Sequence, residues 1–200
     1  LLDVQYNDDS HRKYIQVVWD SMQRWFYLDQ KKQIIQAIEC DKVREHPENA
    51  ATLFNYDKGQ CVTRVNPDGG VESYAYHPIW GVKTEVKRAN GLKTQWFYIS
   101  NSLFYPLCIA KAQWLDKETS SITRYIYQRF NKSTEAQDLW FLRAVIDPNH
   151  AVTLYDYGKE HQPGYNKPQY VRKFLNKKFD TSSFPPQAAI SYEEFAGLFY

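Results

Sequence analysis

Residues 52–99 read TLFNYDKGQCVTRVNPDGGVESYAYHPIWGVKTEVKRANGLKTQWFYI, and this stretch decides the fold. Runs of β-branched and aromatic residues alternate in it with Asp57-Lys58-Gly59, Asn66-Pro67-Asp68-Gly69-Gly70 and Asn90-Gly91. Such runs suit strands, and Asn-Gly favours the two-residue type I′ turn, whose twist matches the strands it joins. A two-residue loop at Asn90-Gly91 pairs Val82 with Ile99, Thr84 with Phe97 and Val86 with Gln95. That register collects an apolar face for a core and leaves Lys83, Glu85 and Lys87 beside Trp96 and Tyr98 on the other. A meander of about five antiparallel strands follows.

On the N-terminal side, Ser10 is placed to cap a helix. Ile15, Val18, Met22 and Trp25 then recur at steps of three and four, the period of an amphipathic helix. Asp29 and Lys32 interrupt the stripe, which resumes through Ile34, Ile35 and Ile38. This reads as two helices broken near Asp29, or as one helix that rotates its buried face. His46-Pro47-Glu48-Asn49 connects it to the meander.

On the C-terminal side, residues 103–115 read as a central helix, with Leu107, Ala110, Ala112, Trp114 and Leu115 as its apolar contacts. Residues 122–130 alternate as a strand does. Residues 139–146 and 151–157 flank the turn Asp147-Pro148-Asn149-His150, although 139–146 also fits a helix capped near Ser133 or Thr134. A polar loop, 158–167, leads to a helix from about Pro168 to Phe179 that buries Val171, Phe174 and Leu175. After the Pro185-Pro186 linker, Ser191 and Glu194 form a capping box for a last helix.

The totals narrow the function classes. A formal charge of +2 makes no electrostatic case for nucleic acid or an anionic membrane. Eight glycines, with no G-x-G-x-x-G or G-x-x-x-x-G-K pattern, leave no phosphate-binding loop and imply no cofactor. No run reaches the ~18 apolar residues of a membrane-spanning helix. Three widely spaced cysteines, Cys40, Cys61 and Cys108, lean towards a reducing compartment. The chain begins at Leu1 rather than Met, so a signal or anchor upstream is not excluded.

Two short stretches point to chemistry. Cys108-Ile-Ala-Lys-Ala resembles the helix start that carries the nucleophile of papain-like cysteine hydrolases. Asn149-His150-Ala151-Val152, with Tyr157-Gly158 beyond, resembles the strand carrying their catalytic histidine. The resemblance implies a thiolate at Cys108 paired with His150, and Asp156 or Asn166 is the nearest residue to orient the imidazole. Asn101-Ser102-Leu103-Phe104 is similar to the nucleophile box of ovarian-tumour-type deubiquitinases, with serine in place of the cysteine. A buried cysteine on a helix and a histidine in a turn explain the same residues without catalysis. His150, Asp156 and His161 match no zinc-ligand spacing, so no metal is expected. Lys167, Arg172, Lys173, Lys177 and Lys178 interleave with Tyr165, Tyr170 and Phe174, a mixture that can suit phosphates and bases, but the near-neutral charge favours the wet face of a plain amphipathic helix over nucleic acid.

The expectation is an α+β chain: residues 1–50 a helical segment, 51–160 two β-meanders with a central helix, and 161–200 a helical tail. Its expected role is non-catalytic binding of a protein partner through Lys83, Trp96 and Tyr98, with Cys-His thiol hydrolysis as the alternative.

Overall fold

The computed structural model describes residues 3–9, 12–19, 21–41, 52–100, 106–116, 118–130, 139–157 and 168–199. The expected connector near residue 47, the Asn101–Phe104 box, and Ser10, His161, Tyr165, Asn166 and Lys167 lie outside them. The described residues hold fourteen strands and one short helix, so the fold is almost all β. They divide into two compact units. In the first, β1 (Asp3–Asp9), β2 (Arg12–Trp19), β3 (Met22–Leu28), β4 (Ile34–Asp41), β5 (Thr52–Asp57), β6 (Gln60–Val65) and β7 (Val71–Tyr76) pair antiparallel in chain order. Next come β8 (Lys83–Lys87) and β9 (Lys93–Ile99). The second unit contains β10 (Leu107–Trp114), β11 (Ser120–Phe130), β12 (Leu139–Ile146), β13 (Ala151–Tyr157) and β14 (Pro168–Lys178), again antiparallel neighbours in chain order, and ends in α1 (Tyr192–Phe199).

The α+β expectation is therefore corrected: β1–β4 stand where the N-terminal helical segment was expected, β10 where the central helix was, and β14 in place of the helix from Pro168. The reason is common to all three. A strand shows period two only when its faces differ, and here both faces carry apolar residues. Ile15 and Val18 fall on opposite faces of β2, while Met22 and Trp25 belong to the next strand, so the stripe at three and four steps is accidental. In β10 the neighbours Ile109 and Ala110 are both buried, which turns alternation into a continuous apolar run. In β14, Phe174 packs on the core while Val171 is exposed. The last helix does start at the expected cap: the Glu194 amide donates to Ser191 Oγ at 3.0 Å.

Turn chemistry sets the strand register. Four loops close alike: Asp29 N–H donates to Gln33 O, Asn66 to Gly70, Arg88 to Leu92 and Asp147 to Ala151, at 2.8–3.0 Å. In each, the third loop residue has positive φ: Lys32 (61°), Gly69 (82°), Gly91 (82°) and His150 (65°). This is a type I turn followed by a left-handed residue, the common three-residue hairpin loop. The two-residue loop with two positive φ values stands instead at Lys58 (48°) and Gly59 (78°). The hairpin at Asn90-Gly91 is thus present, but one residue out of the expected register. Asn90 is not left-handed; its Oδ1 accepts from the Leu92 amide at 3.1 Å.

The two units build their interiors differently. In the first, Ile38 and Cys40 are buried against Trp25, Tyr27 and Leu53 on one face. The other face carries arginines over rings: the Arg24 guanidinium lies 5.5 Å from the Phe54 centroid and pairs with Glu39. Arg64 lies 5.9 Å from the same ring and 3.9 Å from Glu72. In the second, Ile126, Ala144, Ile146, Val152 and Leu154 form a core closed by Phe179, Ile190, Phe195 and Phe199. The covering segment is tied down by Arg124. This side chain is buried, and its guanidinium donates to the carbonyls of Phe184, Pro185 (3.4 Å) and Ala188 (3.3 Å).

Candidate functional site

Cys108 lies in β10, not at a helix start, and its thiol is half-buried, directed to Ala110 O at 3.5 Å. Burial pushes its pKa up to about 11, against smaller lowering by the Ala110 hydrogen bond and by Lys111. A thiolate nucleophile needs the opposite shift. His150 occupies the left-handed position of the β12–β13 turn. Its backbone and ring are both engaged by the covering segment: Phe179 N–H donates to His150 O at 3.0 Å, and Nδ1 lies 3.2 Å from Phe179 O and 3.4 Å from the Thr181 amide.

Strand register measures the separation. Ala110, Arg124, Ile146 and Val152 form one row across the sheet. Cys108 lies on one side of that row, and the turn bearing His150 lies on the other. Two strand spacings across and about four residues along give a distance on the order of 15 Å. Asp156 is near the far end of β13, about 16 Å along the strand from the turn. Asp156 pairs with Arg172, and Arg143 lies 3.8 Å away, so it orients arginines and not an imidazole. The structure does not bring Cys108, His150 and Asp156 together.

The expected binding patch is also rearranged. Trp96 and Tyr98 are half-buried and Lys83 is exposed. Tyr98 Oη donates to the backbone carbonyl of Lys83 at 2.9 Å. Closing the hairpin at Arg88 and Leu92 continues as Lys87 opposite Lys93, which puts Trp96 and Tyr98 on the face of Val82 and Thr84. The Lys83 side chain belongs to the other face, so the three residues do not make one surface.

Two other features of the second unit are open to a partner. One is a cleft of about 410 Å³ walled by Ile109, Tyr125, Tyr127 and Trp140. Arg129, Glu193 and Glu194 also line it, so both signs of charge meet there and select no ligand class. Burial drives the Tyr127 phenol up to about 12, which keeps it a neutral wall.

The other feature is the outer edge of β14. Its register with β13 sets Phe174 opposite Val152 in the core row, then Arg172 opposite Leu154 and Tyr170 opposite Asp156. The covering segment packs on Phe174 and Val152 of the first of these rows, while Tyr170 of the last is exposed, so the strand runs out past its cover. Residues 168–173 are all exposed, Tyr170 to 68% and Val171 to 57%. These two side chains point to opposite faces, and among the described residues β14 ends the strand order beside β13. Sequence reasoning missed this edge. Its signals were a proline at the strand start and cations without acids, both marks of an edge strand.

No protein-family model and no curated protein matches the chain. Among the described residues no helix is long and apolar enough to cross a membrane. Among them, too, no cluster of three or more His, Cys, Asp or Glu side chains is arranged to hold a metal ion.

Proposed function

We propose that the chain is a non-catalytic binding module that takes an extended segment of another polypeptide along the outer edge of β14. One observation supports this reading: residues 168–173 are exposed on both faces of β14, the strand that ends the sheet order among the described residues. Such an edge offers a row of backbone donors and acceptors to an added strand, and the alternating side chains supply selectivity. Tyr170 is the residue type that interfaces favour, with Val171 beside it on the other face. Arg172 is held by Asp156, so its guanidinium is already oriented when a partner arrives.

Selection from a random-peptide display library tests the reading. Retained peptides should bind the wild-type chain and be lost with the double substitution Tyr170→Ser and Val171→Ser, which leaves the core rows untouched. Hydrogen exchange should slow at the amides of residues 169–174 when peptide is bound. A library that yields no binder, or binders indifferent to the double substitution, removes the β14 site.

A further inference from the structure

The partner's chemistry can be taken further, on the strength of the β14 reading above. Residues Pro168–Lys178 contain Arg172, Lys173, Lys177 and Lys178 and no acid. Cations on an edge strand repel a second copy of the same strand, which is how exposed edges avoid pairing with themselves. They do not repel an acidic strand. The sheet order has one other end, β1, whose residues Asp3–Asp9 include Asp3, Asp8 and Asp9 and no cation. One antiparallel register sets Asp9 against Arg172 and Asp8 against Lys173, in the stretch of β14 that pairs regularly with β13. We infer that the occupant of the β14 edge is the β1 edge of a second copy of this chain, added antiparallel as the next strand of the meander.

This contact joins two different surfaces, so it is heterologous: copies add head to tail, in an open chain or a closed ring. Self-pairing of β14 with β14, or of β1 with β1, opposes like charges and is disfavoured by the same side chains. The association should therefore be concentration-dependent and, as a contact between strands of opposite charge, sensitive to salt.

Sedimentation of the full chain over a concentration series tests this at about 0.01 M and about 1 M ionic strength, where screening lengths differ roughly tenfold. At low salt the average mass should rise past that of a dimer, and at high salt it should fall back towards the monomer. Two charge variants separate the ends: Lys173→Glu with Lys178→Glu disables β14, and Asp8→Lys with Asp9→Lys disables β1. Each alone should remain monomeric with unchanged circular dichroism. Mixed in equal amounts they should form a species of about twice the monomer mass that grows no further, because the one intact β14 meets the one intact β1. A wild-type chain that is monomeric throughout, or a β14 variant that assembles as the wild type does, overturns the inference. A monomeric chain that still binds library peptides in a Tyr170- and Val171-dependent way overturns the second copy alone; loss of that binding as well overturns the β14 site itself.

Discussion

Two meanders built from the same hairpins reach very different degrees of burial. In the first unit most strand residues are half-buried, and its buried cluster is Ile38 and Cys40 with rings leaning on them. In the second, five residues from three neighbouring strands are at 2% exposure or less, because the segment from Phe179 to Phe199 lies over them. A single sheet has no interior; a second layer makes one. Where the first unit has no such layer among the described residues, it uses Arg24 and Arg64 over Phe54, with Glu39 and Glu72 closing the charges. The β14 edge marks where the second unit's cover stops.

The largest break in this comparison should come from Phe195, fully buried and stacked on Phe199 at 5.1 Å. Phe195→Ala is expected to destabilise the second unit by about 3–5 kcal/mol, against about 2 kcal/mol for Ile38→Ala in the first. Denaturant unfolding followed by hydrogen exchange at strand amides of each unit would separate them. Equal losses would mean that the layers matter less than the strand pairing.

Arg124→Ala comes next. It leaves three carbonyls without their donor and empties a buried site, and about 3 kcal/mol should be lost. Burial holds the Arg124 pKa below its ordinary value, but the guanidinium remains charged at neutral pH. The readout is accelerated exchange at the Phe179, Phe184 and Ala188 amides. A variant that keeps those amides protected would show that the aromatic contacts hold the segment unaided.

Two equivalent turn positions give a smaller and sharper contrast. Lys32→Gly should raise the unfolding free energy slightly, by less than about 1 kcal/mol, since glycine is at ease at positive φ. His150→Gly relieves the same strain but removes the ring beside Phe179 O and the Thr181 amide, so it should lower stability. Like signs for the two changes would mean that the His150 ring contributes nothing to the cover.

The effect of Cys108 is confined to high pH. Its folded pKa of about 11 lies above the ordinary 9.0, so folding favours the neutral thiol. That contribution is complete below pH 9 and is lost as pH rises through 11. Stability of the wild type should fall further than that of Cys108→Ala between those values. Alkylation of the Cys108 peptide, followed by mass spectrometry, should stay slow at neutral pH; rapid labelling there would contradict the raised pKa.

Much was legible in residues 52–99 because hairpin information is local: five strands lie where the turn residues put them. The capping box at Ser191 and the hairpin at Asp147–His150 were legible for the same reason. Register was not. Asn90-Gly91 is compatible with two loop lengths, and the choice moves Trp96 and Tyr98 to the other face from Lys83. The candidate site failed at the same level, since a Cys-His pair depends on which strands lie between the two residues.

By itself, the sequence determined where the chain turns and which short runs extend, since φ preferences and side-chain caps act within four or five residues. Tertiary structure alone decided that β2, β3 and β4 are strands, that Arg124 is buried against backbone carbonyls, and that Tyr170 and Val171 are exposed on both sides of an edge. Helix and strand differ little for a short apolar run until a neighbour offers hydrogen bonds along its side and a layer covers its face. Burial belongs to that layer, which here comes from residues some sixty positions away in the chain.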